Sequence, residues 1–173
     1  TWVLGMGIDH NPDGSITLHQ EKYIQDMLQQ FKMTSCNPVI LPWSSGDEFN
    51  FSRDDQPLPE GIPYSNLVGC LLWTAVCTRP DIAATVSCLC RFVSKPQLCH
   101  WTAAKRVLRY LKGTSNRGIL FQHHPSGIVL SAFADSTWGS DPSSSMSVSG
   151  QIVYLGPASD GDSPPLQISP ISW

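Results

Sequence analysis

From Ile82 to Ala134 the sequence contains no aspartate or glutamate, yet Arg91, Lys95, Lys105, Arg106, Arg109, Lys112 and Arg117 all fall there. A solvated helix face normally mixes signs, because opposite charges at i and i+4 support the helix. A face of one sign repels itself, an arrangement that suits a polyanion opposite it. Other things are missing too. No apolar run is long enough to span a bilayer, and no signal peptide opens the chain. There is no P-loop, no dinucleotide glycine pattern and no Ser/His/Asp spacing, so nucleotide-cradling and triad chemistries have no foothold. Charged residues make up only 14% of the chain, low for a free-standing domain. The start at Thr1 and the end at Trp173 read as cuts through a longer protein.

A length of 173 residues with 41% hydrophobic content allows one ordinary domain or two small ones. The net charge is −3, because acids before residue 61 and after residue 134 offset the basic stretch. Of the six cysteines, Cys70, Cys77, Cys88 and Cys90 sit inside helical patterns as small apolar residues, which points to a reducing compartment. A metal site from Cys88, Cys90, Cys99 and His100 is weighed against this. Helical residues two apart point to opposite sides, so the thiols read as structural. The sequon Asn50-Phe51-Ser52 carries no weight without a secretory signal.

Periodicity divides the chain. Residues 2–8 read as a strand whose glycines allow close backbone approach, and Asn11-Pro12-Asp13-Gly14 as the turn to a returning strand from Ser15 to His19. Ile24, Leu28 and Phe31 predict a helix over residues 20–32. Residues 34–63, with five prolines, read as an extended surface connector. Three amphipathic helices follow. Leu67, Val68, Leu71, Leu72 and Ala75 line the first, which Pro80 ends. Thr78 is the expected cap of the second, with Pro80 and Asp81 in its first turn and Ile82, Val86, Leu89 and Val93 as its stripe. In the third, Trp101, Ala104, Leu108 and Leu111 turn inward and Gly113 supplies the stop. Lys105, Arg109 and Lys112 share its other side, where they should be held outward. After Gly118 the period becomes alternating, with strands expected at 119–121, 128–133, 148–155 and 168–173. The expected fold class is α+β, split near residues 116–118.

Asp135, in "LSAFADSTW", is the one acid inside an apolar strand. It is either a metal ligand or a strand-end carboxylate bonded to Ser136 or Thr137, and the pattern favours neither. Asp141, Asp160 and Asp162 fall in loops, and one carboxylate does not make a two-metal site. His123 and His124 read as surface residues at a strand end.

The segments "YSNLVGCLLWTAVCTRPDIAATVSCLCRFVSKP", "HWTAAKRVLRYLKGT", "FADSTWGSDP", "SVSGQIVYLG" and "PISW" resemble, in order, copia-type retrotransposon Pol polyproteins between their reverse transcriptase and ribonuclease H regions. The opening "VLGMGI" and "DGSITLHQEKYIQDMLQQFKM" are similar to the part of that family following the polymerase's catalytic motif. The resemblance implies a primer-grip-like hairpin over 1–19, in which Leu4, Gly5 and Met6 approach the primer end. It implies a helical thumb and connection over 20–117, with Lys105, Arg106, Arg109 and Lys112 along a template–primer duplex or RNA/DNA hybrid. Residues 118–173 would be antiparallel strands of an incomplete ribonuclease H-like sheet, with Asp135 as its first catalytic, Mg2+-binding carboxylate. The sequence departs from the family at Thr137, where a second aspartate is common, in "SSSMSVSG" and in the long "ASDGDSPPLQIS" link. The implied parent is an intracellular RNA-directed DNA polymerase with ribonuclease H, working with the remainder of the Pol polyprotein, in a cytoplasmic virus-like particle or the nucleus and without a membrane. This stretch alone is expected to bind template–primer without catalysis. The alternatives are a non-catalytic nucleic-acid-binding module and an inert remnant.

Overall fold

Residues 2–8 form two strands, not the single one expected. In the computed structural model, which describes residues 1–43, 56–123, 127–139, 147–157 and 168–173, β1 (Trp2–Val3) pairs antiparallel with β2 (Met6–His10). Leu4 and Gly5 between them have φ of 52° and 79°. Two consecutive positive φ angles close a tight turn that matches strand twist. Leucine pays a steric cost there that glycine does not.

The Asn11–Gly14 turn forms as the sequence predicts. The Gly14 N–H donates to the Asn11 carbonyl at 3.0 Å, and the Asn11 amide donates to Ser15 Oγ at 2.8 Å, leading into β3 (Ile16–His19). Gly7 has the close approach expected of it, since a Cβ there would lie 2.5 Å from His19 Nε2. These strands and β4 (Gly118–Phe121) make a sheet in the order β1-β2-β3-β4. A second, antiparallel sheet has the order β5-β6-β7, from β5 (Ile128–Thr137), β6 (Val148–Pro157) and β7 (Ser169–Ser172). With four α-helices, the class is α+β, as expected. Asn50-Phe51-Ser52, His124, Asp141, Asp160, Asp162 and the middle of the 34–63 connector lie outside the described residues.

The chain divides into two units, one of Trp2–Gly7 with His19–Gly118, the other of Thr1, Ile8–Leu18 and Ile119–Trp173. The first holds the main core. Helix α1 (Glu21–Gln30) contributes Ile24, Met27 and Leu28, and α2 (Tyr64–Cys77) contributes Tyr64, Leu67, Val68, Leu71 and Ala75. The Tyr64 hydroxyl donates to the Leu89 carbonyl at 2.8 Å, satisfying its one polar atom inside the core. Leu72, expected on the buried stripe, is 43% exposed.

The second amphipathic pattern is broken where the sequence suggested one helix. Pro80–Ile82 form a single 3-10 turn, and α3 (Ala83–Cys90) follows it. Thr78 does not cap it, because its hydroxyl donates to Gln20 Oε1 at 2.8 Å and both residues are buried. Val93 lies beyond α3 and is 39% exposed, so the stripe ends at Leu89. Helix α4 (Leu98–Gly113) buries Ala104, Val107, Leu108, Tyr110 and Leu111, with Trp101 only partly covered. His100 closes its capping box with Gln97, accepting the Gln97 N–H on Nδ1 at 2.9 Å, and stacks on Phe92 at 4.0 Å. Gly113 is the last helical residue, without the left-handed φ of a glycine stop. Its small size matters instead, since a Cβ would lie 3.0 Å from Pro38 Cβ.

The sheet of the second unit is thinly covered. Tyr154 is buried, and the Ser169 hydroxyl donates to the Leu120 carbonyl at 2.6 Å. Along β5, however, Ile128, Val129, Leu130 and Phe133 are all exposed.

Candidate nucleic-acid interface

The four basic residues singled out in the sequence sit on α4, and each is engaged within the protein to a different degree. Lys105 Nζ lies 5.6 Å from the centroid of the Trp101 ring, one turn earlier on the helix. Arg109 Nε donates to the Asn37 carbonyl at 2.7 Å, and Lys112 Nζ donates to the Cys36 carbonyl at 2.6 Å. Arg106 is half-buried, and its Nε has no hydrogen-bond partner among the described residues. The cations are therefore not simply held outward. The segment after α1 lies across their helix, and two of them tie down its carbonyls.

That contact follows from residues far apart in the chain. Pro38 packs against Gly113, and Arg109 and Lys112 are spaced to reach the two preceding carbonyls. Each bond uses one donor. A guanidinium has five N–H groups and an ammonium three, so donors remain beyond the strap. None of the four cations forms an ion pair among the described residues, unlike Lys22 with Asp26 and Arg79 with Asp81. Among the described residues, the acid-free stretch in the sequence thus becomes a face with no carboxylate ion-paired to its four cations.

A second charged group, at the C-terminal end of α4, was missed in the sequence. Arg79 is 2% exposed. It donates through Nε and Nη2 to the two oxygens of Asp81 at 2.9 and 2.8 Å, and through Nη1 and Nη2 to the Thr114 carbonyl and hydroxyl at 2.9 and 2.7 Å. The Tyr110 hydroxyl donates to Asp81 Oδ2 at 2.7 Å. Burial by itself would raise the Asp81 pKa, but the bonds from Arg79 and Tyr110, with the charge of Arg79, outweigh it and hold the carboxyl below its ordinary value. Burial, followed by the bond to Asp81, pushes the Tyr110 phenol up. The start of the α3 segment is thereby fastened to the end of α4, where the cation also faces the negative helix terminus. Arginine is so rarely buried that nothing in "TRPD" announced this role.

Asp135 lies on β5, opposite Gly150 on β6, and is exposed. Its Oδ1 accepts the Ser136 N–H at 2.8 Å, which is the strand-end bond weighed in the sequence. No group of three His, Cys, Asp or Glu side chains suited to a metal ion occurs among the described residues. Asp135 alone does not match the donor set of a Mg2+ site, which draws on several oxygens. Leu4 and Gly5 form the exposed turn between β1 and β2, and Met6, half-buried, opens β2 opposite Val3. His123 is exposed, just after β4.

No family model matches the chain, and no solved structure matches it. Three curated proteins place it nonetheless. The chain is 35% identical over 155 residues to the retrovirus-related Pol polyprotein from transposon RE2 of Arabidopsis thaliana, covering 90% of this chain and 10% of that protein. It is 34% identical over 145 residues to the corresponding polyprotein from transposon TNT 1-94 of Nicotiana tabacum, covering 80% and 11%. It is also 34% identical over 155 residues to an uncharacterized mitochondrial protein of Arabidopsis thaliana, covering 90% of this chain and 62% of that protein. The chain thus spans about a tenth of the length of the transposon polyproteins that it matches. No helix among the described residues is long and apolar enough to cross a membrane.

Proposed function

We propose, for a chain that belongs to the retrovirus-related Pol polyproteins of transposons, that it is a template–primer-binding segment of a copia-type reverse transcriptase and ribonuclease H. In this reading, residues 1–19 are the primer-grip-like hairpin and residues 20–117 the thumb and connection. Residues 118–173 begin a ribonuclease H-like sheet. The observation that carries it is the α4 face, with Lys105, Arg106, Arg109 and Lys112 and no carboxylate paired to them among the described residues. Phosphates answer that face better than any neutral ligand, because each contact releases condensed counterions. The parent enzyme's chemistry would be RNA-templated DNA synthesis and Mg2+-dependent cleavage of RNA in hybrids. Asp135, exposed and without a second acid beside it among the described residues, does not fit such a metal site, and the role read for this segment is binding.

The test is hybrid-duplex binding at several salt concentrations, for the unaltered chain and for the Lys105→Gln/Arg109→Gln/Lys112→Gln variant. Affinity should not depend on sequence. The variant should lose up to about three units of slope in log K against log salt, at roughly 0.9 per phosphate contact. An unchanged slope in a folded variant would remove the interface.

A second reading, a retained non-catalytic module, is favoured by one observation. The match extends over 62% of the mitochondrial relative, so most of that protein consists of this kind of segment. Salt-sensitive binding by the chain alone is what a module requires. An inert remnant would show none.

A further inference from the structure

A cavity of about 310 Å³ opens between the β1–β2 turn and α1, lined by Trp2, Gly5, Lys22, Tyr23 and Asp26. That volume is near the lower end for small-molecule sites and too small for a duplex. Two of its walls are aromatic. Trp2 is 54% exposed although its ring meets His19 edge-on at 5.9 Å, so much of the indole is left to solvent. Tyr23 is half-buried. Burial pushes that phenol above its ordinary value. Gly5 adds no side chain, and a Cβ built on it would meet nothing within 4 Å.

The polar groups stand on α1. Lys22 Nζ and Asp26 Oδ2 are 3.1 Å apart, and both side chains are more than half exposed. An exposed i, i+4 pair is worth only about 0.3–0.5 kcal/mol, so either partner is easily drawn to a ligand. One offers N–H donors, the other carboxylate oxygens, side by side with two aromatic rings. A flat ring with a polar edge and an attached anion uses all of these groups. A purely aliphatic guest would use none of the polar ones.

We infer that this cavity takes one unpaired nucleobase of a nucleic-acid strand, stacked against Trp2 and Tyr23, with Asp26 accepting from the base edge and Lys22 donating to the strand's phosphate. The inference rests on the template–primer reading and adds to it a site for a single base outside the duplex. Base–aromatic stacking is sequence-tolerant, because every base has a π face. Selectivity would therefore be for single-stranded over paired nucleotides rather than for one base.

The test uses the whole chain, an RNA/DNA hybrid with a short single-stranded tail bearing 2-aminopurine, the same hybrid blunt-ended, and the free single strand. The tail should be bound with its fluorescence quenched, and the tailed hybrid should bind roughly tenfold or more tighter than the blunt one. Trp2→Leu, which keeps apolar bulk but removes the ring, should abolish quenching and bring the tailed and blunt hybrids to equal affinity. Trp2→Phe should restore most of the quenching and of the tail preference. The α4 triple variant should weaken tailed and blunt hybrids alike and keep their ratio. Equal affinity for tailed and blunt hybrids by the unaltered chain would overturn the base site and leave the duplex interface standing. Absent hybrid binding, with the free strand still quenched in a Trp2-dependent way, would remove the duplex interface and leave the site. Displacement of the labelled strand by acetyl-phenylalanine amide at lower concentration than by a mononucleotide would assign the cavity to a protein side chain and overturn the proposal.

Discussion

Arg79 and Asp81 stand on either side of Pro80 and meet as a two-pronged ion pair at 2.9 and 2.8 Å. The proline fixes the backbone between them, and the guanidinium's remaining donors reach Thr114. A local turn is thus converted into a tie across 35 residues of chain.

The first prediction concerns that tie. Arg79→Met keeps most of the side-chain volume but leaves the Asp81 carboxylate and the Thr114 carbonyl short of partners. Arg79 is buried but the Asp81 side chain is 34% exposed, so the loss is that of hydrogen bonds to a charged group, about 1.5–3 kcal/mol, rather than of an enclosed ion pair. Urea unfolding should therefore show a clearly lower midpoint. A midpoint equal to that of the unaltered chain would mean that the pair is incidental.

Acid sensitivity follows from the same pair. Asp81 has a lower pKa folded than unfolded. Its contribution to stability is present above the unfolded carboxyl value of about 3.9 and is lost as pH falls through the folded value. Tyr110 is shifted upward, so its contribution is present below the unfolded phenol value of about 10 and is lost as pH rises through the folded one. Midpoints measured from pH 2 to 7 should fall more shallowly at the acid end in Asp81→Asn. Parallel curves for the two proteins would contradict the assignment.

The strap across α4 changes what the basic residues are expected to do for stability. Exposed charge substitutions usually cost within about 0.5 kcal/mol. Arg109 and Lys112, however, donate to Asn37 and Cys36, and a hydrogen bond with a charged partner is worth about 1.5–3 kcal/mol. Arg109→Gln/Lys112→Gln should therefore lower stability by more than 1 kcal/mol, whereas Lys105→Gln should change it little. Gly113→Val should act in the same direction by pressing on Pro38. Thermal melts of the three variants would check the order, and equal melting temperatures would contradict the strap.

The two units should also differ in local stability. Helices α2 and α4 carry residues with no exposed surface, such as Leu67, Leu71, Val107 and Leu108, while β5 exposes residues along both of its faces and borders only β6 within its sheet. Protection from exchange tracks burial of this kind. Amide exchange should be slowest in α2 and α4 and much faster at the β5 positions. Uniformly slow exchange across residues 128–137 would show that the sheet is better supported than its surface suggests.

The sequence alone determined what is periodic and local. Ile24 and Leu28 announced α1, Asn11–Gly14 the turn before β3, and Leu67, Val68 and Leu71 the buried face of α2, because helix and turn preferences are read within a few residues. The absence of acids from Ile82 to Ala134 was visible directly, and so was the resemblance of the ordered segments to transposon Pol proteins. Tertiary structure decided whatever needed a partner from elsewhere in the chain. Gln20 took the Thr78 hydroxyl from its expected cap, Thr114 and Asp81 buried an arginine, and Cys36 and Asn37 engaged the basic helix. Splitting residues 2–8 about Leu4 needed a positive φ at leucine, against its intrinsic preference. A hydrogen bond spanning tens of residues leaves no period in the sequence. Such contacts are therefore fixed only when packing brings their donors and acceptors within about 3 Å of one another.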